Sequence, residues 1–205
     1  MSQEVFEIVQ HMDLKNVENQ LALQCAPLIA GLKPSNLLII SKSSLYQVRQ
    51  ILKNSGISYS VLLVTGQKIT ILLYNRKELE AYLAKSEVLT LFESMGYLRF
   101  SLEEILPVFQ KRYQKYMEDN CHFPHEMGLL LGYPVEDVEG FIKNEGKNSL
   151  HIGYWKVYGN LAEKLQLFRK FELAKETLIQ LVSNGVSMTD IIDIYKEDKL
   201  QKAAI

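Results

Sequence analysis

From Glu4 to Cys25 the apolar residues recur at helical intervals. Leu14, Val17, Leu21 and Cys25 share one stripe, with a break expected near Met12 or Asp13. Pro27, Gly31 and Pro34 punctuate the chain after it. The period then changes. "NLLIIS", Asn36 to Ser41, is a short apolar run of strand length. "SLYQVRQILKNSG" returns to the helical period and predicts a helix closed by Gly56, because glycine takes the left-handed backbone beyond a helix end without steric cost. "YSVLLVTGQKITILLY" holds two β-branched runs around Thr65–Lys68, which predicts a hairpin. "RKELEAYLAKS" is helical again. The order is β-α-β-β-α, with a first crossover expected to be parallel and right-handed.

After Ser86 the helical period dominates. Ser101 and Glu104 form a capping box for "SLEEILPVFQKRYQKYMEDN", within which Pro107 either interrupts the helix or marks its true first turn. "FPHEMGLLLGYPVEDVEGFIKN" predicts two short helices. Pro124 and Pro134 stand at their first positions, and Gly132 closes the first helix. "HIGYWKVY" reads as an extended aromatic piece. Asn160 and Glu163 form a second capping box ahead of a long helix. A last helix is capped by Ser187 or Thr189. The fold class is α+β, or mixed α/β. One domain, 1–205, is expected, with 1–86 containing the sheet and 87–205 mainly helical.

Composition narrows the function classes. Hydrophobic content of 47% and charged content of 23% suit a globular chain with a sizeable core. A net charge of −1 provides no bulk field to recruit nucleic acid or acidic lipid. No apolar run approaches the roughly 18 residues of a span, so no membrane partner is expected. The N-terminus lacks the basic and apolar regions of a secretory signal. Two cysteines, Cys25 and Cys121, do not make a disulfide framework, so a cytoplasmic protein with reduced thiols is expected.

The chemistry concentrates in two places. "NCHFPHE" puts Cys121, His122, His125 and Glu126 within six residues. Together with Cys25 or His151 they could hold a metal or haem. The spacing is neither that of a zinc finger nor HExxH, since Met127, Gly128 and Leu129 follow Glu126. Cys121 beside His122 and ahead of a helix could also be an activated thiol. Against these stands a plain helical entry, in which the helix dipole alone explains Glu126. The rhythm through Gly128, Gly132, Val138 and Ile142 is also that of a helix-turn-helix. The second helix offers Glu136, Asp137 and Glu139 where a groove reader needs cations or amides, so no nucleic-acid partner is expected. In "GYWKVYGN" an extended chain would send Tyr154 and Lys156 one way, Trp155 and Val157 the other. A lysine between tyrosines suits an anionic or planar ligand. The bland reading is an edge strand whose lysine discourages pairing. The chain has no Walker loop, dinucleotide fingerprint or nucleophile elbow.

"QCAPLIAGLKPSNLL" (Gln24–Leu38), "FPHEMGLLLGYPVEDVEGFI" (Phe123–Ile142) and "GYWKVYGN" (Gly153–Asn160) resemble, in order, a bacterial family of anaerobic Firmicutes known as a domain of unknown function, DUF3793-like. The resemblance implies a bacterial cytoplasmic protein treated as one domain, and no particular activity. Cys121 and His122 lie outside its motifs. The expectation is a small-ligand-binding protein or small enzyme, with a cleft where the motifs converge. His125, Glu126 and Cys25 are the catalytic candidates, with His125 as acid/base and Glu126 as its orienter. Lys33, Ser35, Tyr154 and Lys156 are the ligand contacts, for a small-molecule or anionic ligand. His125, Glu126, Cys121 and His122 form the alternative metal set. A non-catalytic interaction module is the other alternative. The sequence names no cofactor and no oligomeric state.

Overall fold

The computed structural model describes residues 2–119 and 122–203. The chain divides into two compact units. One comprises residues 1–75 and 169–205, the other residues 76–168. The sequence texture changes at Ser86, but the chain returns to the first unit after Phe168, so the units do not follow that boundary.

The first unit begins with helix α1 (Gln3–His11), capped by the Ser2 side chain, and α2 (Val17–Ile29), whose cap Asn16 accepts from the Glu18 and Asn19 amides. Met12, where a break is expected, is the C-cap of α1. α2 runs through Pro27 and stops only ahead of Gly31, which has φ +68°. The sheet consists of β1 (Ser35–Ser41), β2 (Ile57–Thr65) and β3 (Lys68–Asn75), in the order β1-β3-β2. A 3-10 turn (Lys42–Ser44) and α3 (Leu45–Leu52) connect β1 to β2. α3 ends earlier than Gly56, because Asn54 already takes the left-handed backbone at φ +70°.

The hairpin forms where the β-branched runs place it, with Thr65 opposite Lys68 and Gly66 at φ +55°. The β1–α3–β2 crossover is parallel as expected, but its two strands are not neighbours. Both β1 and β2 pair with β3, and both pairings are antiparallel. β1 and β2 therefore run in the same direction without touching, because β3 folds back between them. The tight hairpin pairs β2 with β3 locally, and β1 adds to the outer edge of β3. Apolar residues of α2, β1 and β3, including Leu21, Cys25, Leu38 and Ile71, form one core with Leu178, Ile179, Met188 and Ile191. Those last four come from the end of α9 (Leu161–Ser183) and from α10 (Met188–Ala203). Ser187 caps α10, its hydroxyl accepting from the Asp190 amide at 3.2 Å.

The second unit is helical: α4 (Arg76–Leu83), α5 (Ser86–Ser94), α6 (Leu102–Asp119), α7 (Glu126–Leu130) and α8 (Val135–Lys143). A small antiparallel hairpin, β4 (His151–Ile152) with β5 (Lys156–Val157), and the start of α9 complete it. α6 opens with Ser101 and Glu104 in contact, but side chain to side chain, the Ser101 hydroxyl donating to the Glu104 carboxylate at 2.9 Å, and it continues through Pro107. α7 stops where Gly132 takes φ +69°. Pro134 lies one residue earlier than expected, as the N-cap of α8. The box at Asn160 does not form. Its amide donates to Glu136 at 3.0 Å, and its own backbone is left-handed at φ +46°. Among the described residues no helix is long and apolar enough to cross a membrane.

Candidate functional site

The second unit holds a cavity of about 300 Å³, bounded by the α7–α8 segment and β5. Its wall is mostly ring and hydrocarbon: Phe123, Met127, Leu131, Tyr133, Val138, Phe141 and Trp155. His125, Asp137, Lys156 and the Tyr133 hydroxyl are its ionisable members. A few polar groups in an apolar concavity is the usual make-up of a small-molecule pocket.

The aromatic wall is ordered by ring contacts. His125 stands 5.5 Å from the Phe123 ring centre and 5.7 Å from that of Phe141. Tyr133 stacks on Trp155 at 4.7 Å, and Phe168 meets the other side of Trp155 edge-on at 4.6 Å. Asp137 fixes the indole. This buried carboxylate accepts from Trp155 Nε1 at 2.7 Å, and from the backbone amides of Tyr158 and Gly159 at 2.7 and 3.2 Å. Close approach of α8 to that segment requires Gly140. A Cβ there would fall 2.4 Å from Tyr158 Cβ.

His125 precedes α7 and is half-buried. Its Nδ1 is shut off from solvent and has no hydrogen-bond partner. Burial lowers the imidazole pKa below its ordinary value and so favours the neutral ring, opposed by the Glu126 charge. Glu126 does not orient it. The Glu126 carboxylate is buried, and its Oε1 accepts from Arg112 at 3.0 Å and from the Tyr97 hydroxyl at 3.0 Å. Arg112 also lies over the Tyr97 ring and donates to the Met95 carbonyl. Glu126 thus ties α7 to α6 and to the turn after α5.

Lys156 Nζ donates to the Gly146 carbonyl at 2.6 Å and lies 5.7 Å from the Phe141 ring centre. It shares the cavity wall with His125, while Tyr154 does not line it. The expected alternation fails because Gly153–Trp155 turn the chain between β4 and β5, Gly153 N–H donating to the Trp155 carbonyl. Trp155 and Lys156 therefore reach one cavity, and Tyr154 lays its ring 5.5 Å from that of Phe168.

An open groove beside the cavity shares Phe123 and His125 with it and adds Arg112, Glu136, Glu139 and Lys143. The acidic start of α8 is largely committed. Asp137 is buried as described, and Glu136 accepts from the buried Lys164 at 2.8 Å.

Cys25, Lys33 and Ser35 belong to the first unit and are buried there. Burial pushes the Cys25 thiol up to about 12, against the pull of Lys33, and its sulfur lies 3.7 Å from the Leu37 carbonyl. A thiol so held is a core residue rather than a nucleophile. Burial pulls the Lys33 amine down to about 8, with Cys25 opposing. Cys121 lies outside the described residues. His122 is exposed, and among the described residues no three histidine, cysteine or carboxylate groups come together to hold a metal.

Asp137, Phe141 and Trp155 are among the cavity residues that sequence reasoning did not name as site members. The acidic start of a helix explains Asp137 without any site, and apolar spacing hides the two rings among core residues.

Fold and site define an α+β protein with an aromatic cavity in its helical unit, walled by a histidine and a lysine. The chain belongs to the family described as Protein of unknown function (DUF3793), whose model matches residues 21–192 and so takes in all three sequence motifs. No curated protein and no solved structure matches the chain.

Proposed function

We propose that the chain binds a small, flat, mainly apolar molecule in the cavity between α7, α8 and β5, with His125 as the polar contact. The observation that carries this reading is the orphaned Nδ1 of His125, shut off from solvent in a wall of aromatic rings. An unpaired buried polar group costs about 1–3 kcal/mol, which a ligand atom that pairs with it recovers. Binding is favoured over catalysis because a general base needs a partner to hold its tautomer, and the Glu126 carboxylate bonds Arg112 and Tyr97 instead.

Trp155 makes the test direct. It is the only tryptophan of the chain and lines the cavity, so its indole N–H gives one resolved resonance. A panel of aromatic acids, amides and amines with one or two rings is titrated into the full chain. At least one member is expected to shift that resonance saturably, and His125→Ala is expected to weaken the effect by about tenfold or more. The variant should keep its urea midpoint within a small margin, because His125 Nδ1 contributes no hydrogen bond to the fold. A panel that leaves the resonance in place sinks the proposal.

A further inference from the structure

We propose that the ligand of this cavity is an aromatic carboxylate, with its acid group held between Lys156 and His125. This rests on the binding reading above and gives that site a chemical class.

The argument starts from which hydrogen-bonding capacity is spent. Asp137 is the carboxylate of the cavity wall, and it already accepts three N–H donors. Lys156 is different. An ammonium carries three N–H bonds, and that of Lys156 gives one to the Gly146 carbonyl. Among the described residues no carboxylate pairs with it. The contrast within the same unit is Lys164, whose ammonium is tied to Glu136 at 2.8 Å. A partly buried ammonium with no carboxylate bonded to it favours an anion beside it.

His125 adds a second group with open capacity. Its Nδ1 has no partner, and a neutral imidazole donates from whichever ring nitrogen carries its proton. Both groups flank one ring: the Lys156 nitrogen and the His125 ring centre each lie 5.7 Å from the centre of Phe141. A carboxylate accepts from an ammonium and from an imidazole N–H alike. A ligand ammonium would meet the Lys156 charge and an Asp137 already engaged. A neutral amide would pair with the donors but bring no charge to the ammonium. The remainder of the ligand is set by the rings of Phe123, Phe141, Tyr133 and Trp155, which suit an aromatic face. The volume of about 300 Å³ admits a one- or two-ring acid.

The experiment compares 2-naphthoate, 2-naphthamide and 2-naphthylmethylamine on the full chain at pH 7, by calorimetry and by the Trp155 indole resonance. The acid is expected to bind about tenfold or more tightly than the amide, as a charge-assisted contact exceeds a neutral one. The amine is expected to be weakest. In Lys156→Met the ratio of acid to amide affinity should collapse towards one, and Lys156→Arg should restore part of it. Equal binding of acid and amide to the wild-type chain overturns the proposal while the cavity reading stands. So does preference for the amine. Silence from all three probes and from the wider panel overturns both. The wild-type comparison needs no variant, so a misfolded Lys156→Met protein leaves the proposal open to refutation.

Discussion

Lys33 and Cys25 are reactive residue types that burial has made into structural ones. Lys33 titrates at about 8 in the fold, below its ordinary value of 10.5, because burial disfavours its charge. Between those values the unfolded chain holds a proton that the folded chain has lost, so stability rises with pH there. Cys25, pushed from 9.0 to about 12, acts in the opposite sense above pH 9, where the folded chain keeps a proton the unfolded chain gives up. Urea unfolding at pH 7, 8 and 9 should therefore show a rise between 8 and 9 that Lys33→Met removes. A rise that persists in the variant would place its source elsewhere. Glu126 carries the same lesson in the other unit. Its type and its place at a helix start are visible in the sequence, whereas its partners Arg112 and Tyr97 come from 14 and 29 residues away.

Among the elements, the β4–β5 hairpin and α8 depend on each other. Two paired residues on each strand make a marginal hairpin in isolation. Asp137 supplies what the ladder lacks by accepting from Trp155, Tyr158 and Gly159 together. Asp137→Ala should leave three donors without their partner and cost about 3 kcal/mol in urea unfolding. The emission of Trp155 should also shift to the red as its indole gains water. An unchanged emission maximum would show that ring packing against Tyr133 and Phe168 holds the hairpin without Asp137. The edge of β1 is handled by a comparable device. The Gln24 side chain accepts from the Ile39 amide at 3.0 Å and donates to its carbonyl at 3.3 Å, occupying a stretch of edge that could otherwise pair.

At the scale of the whole molecule the notable feature is discontinuity. The first unit is closed by two separate segments of the chain, 1–75 and 169–205, with the whole second unit, 76–168, between them in sequence. Met188, Ile191 and Ile192 of α10 are buried in its core. Large buried side chains are each worth about 2–5 kcal/mol when removed, against a total of about 5–15 for a domain. Ending the chain after Gly185 should therefore unfold the sheet. Amide exchange of β3 would approach that of an unfolded chain, and retained protection there would show α10 to be dispensable. A core closed by distant segments pays its loop-closure entropy before those contacts form, which sets their order in folding after the local hairpin.

Periodicity alone determined the helices, the three main strands and the hairpin at Thr65–Lys68, because side-chain spacing and glycine conformation are local properties. Residue type within the three motifs marked His125, Glu126, Tyr154 and Lys156 as candidates. Tertiary structure decided the rest. β3 lies between β1 and β2 because pairing joins residues far apart in sequence, which a period cannot encode. Glu126 is tied to Arg112, and Asp137 to the indole of Trp155, because a buried carboxylate takes whichever donors the packing brings to it. His125 and Lys156, 31 positions apart, line one cavity only because α8 and the β4–β5 turn carry them there.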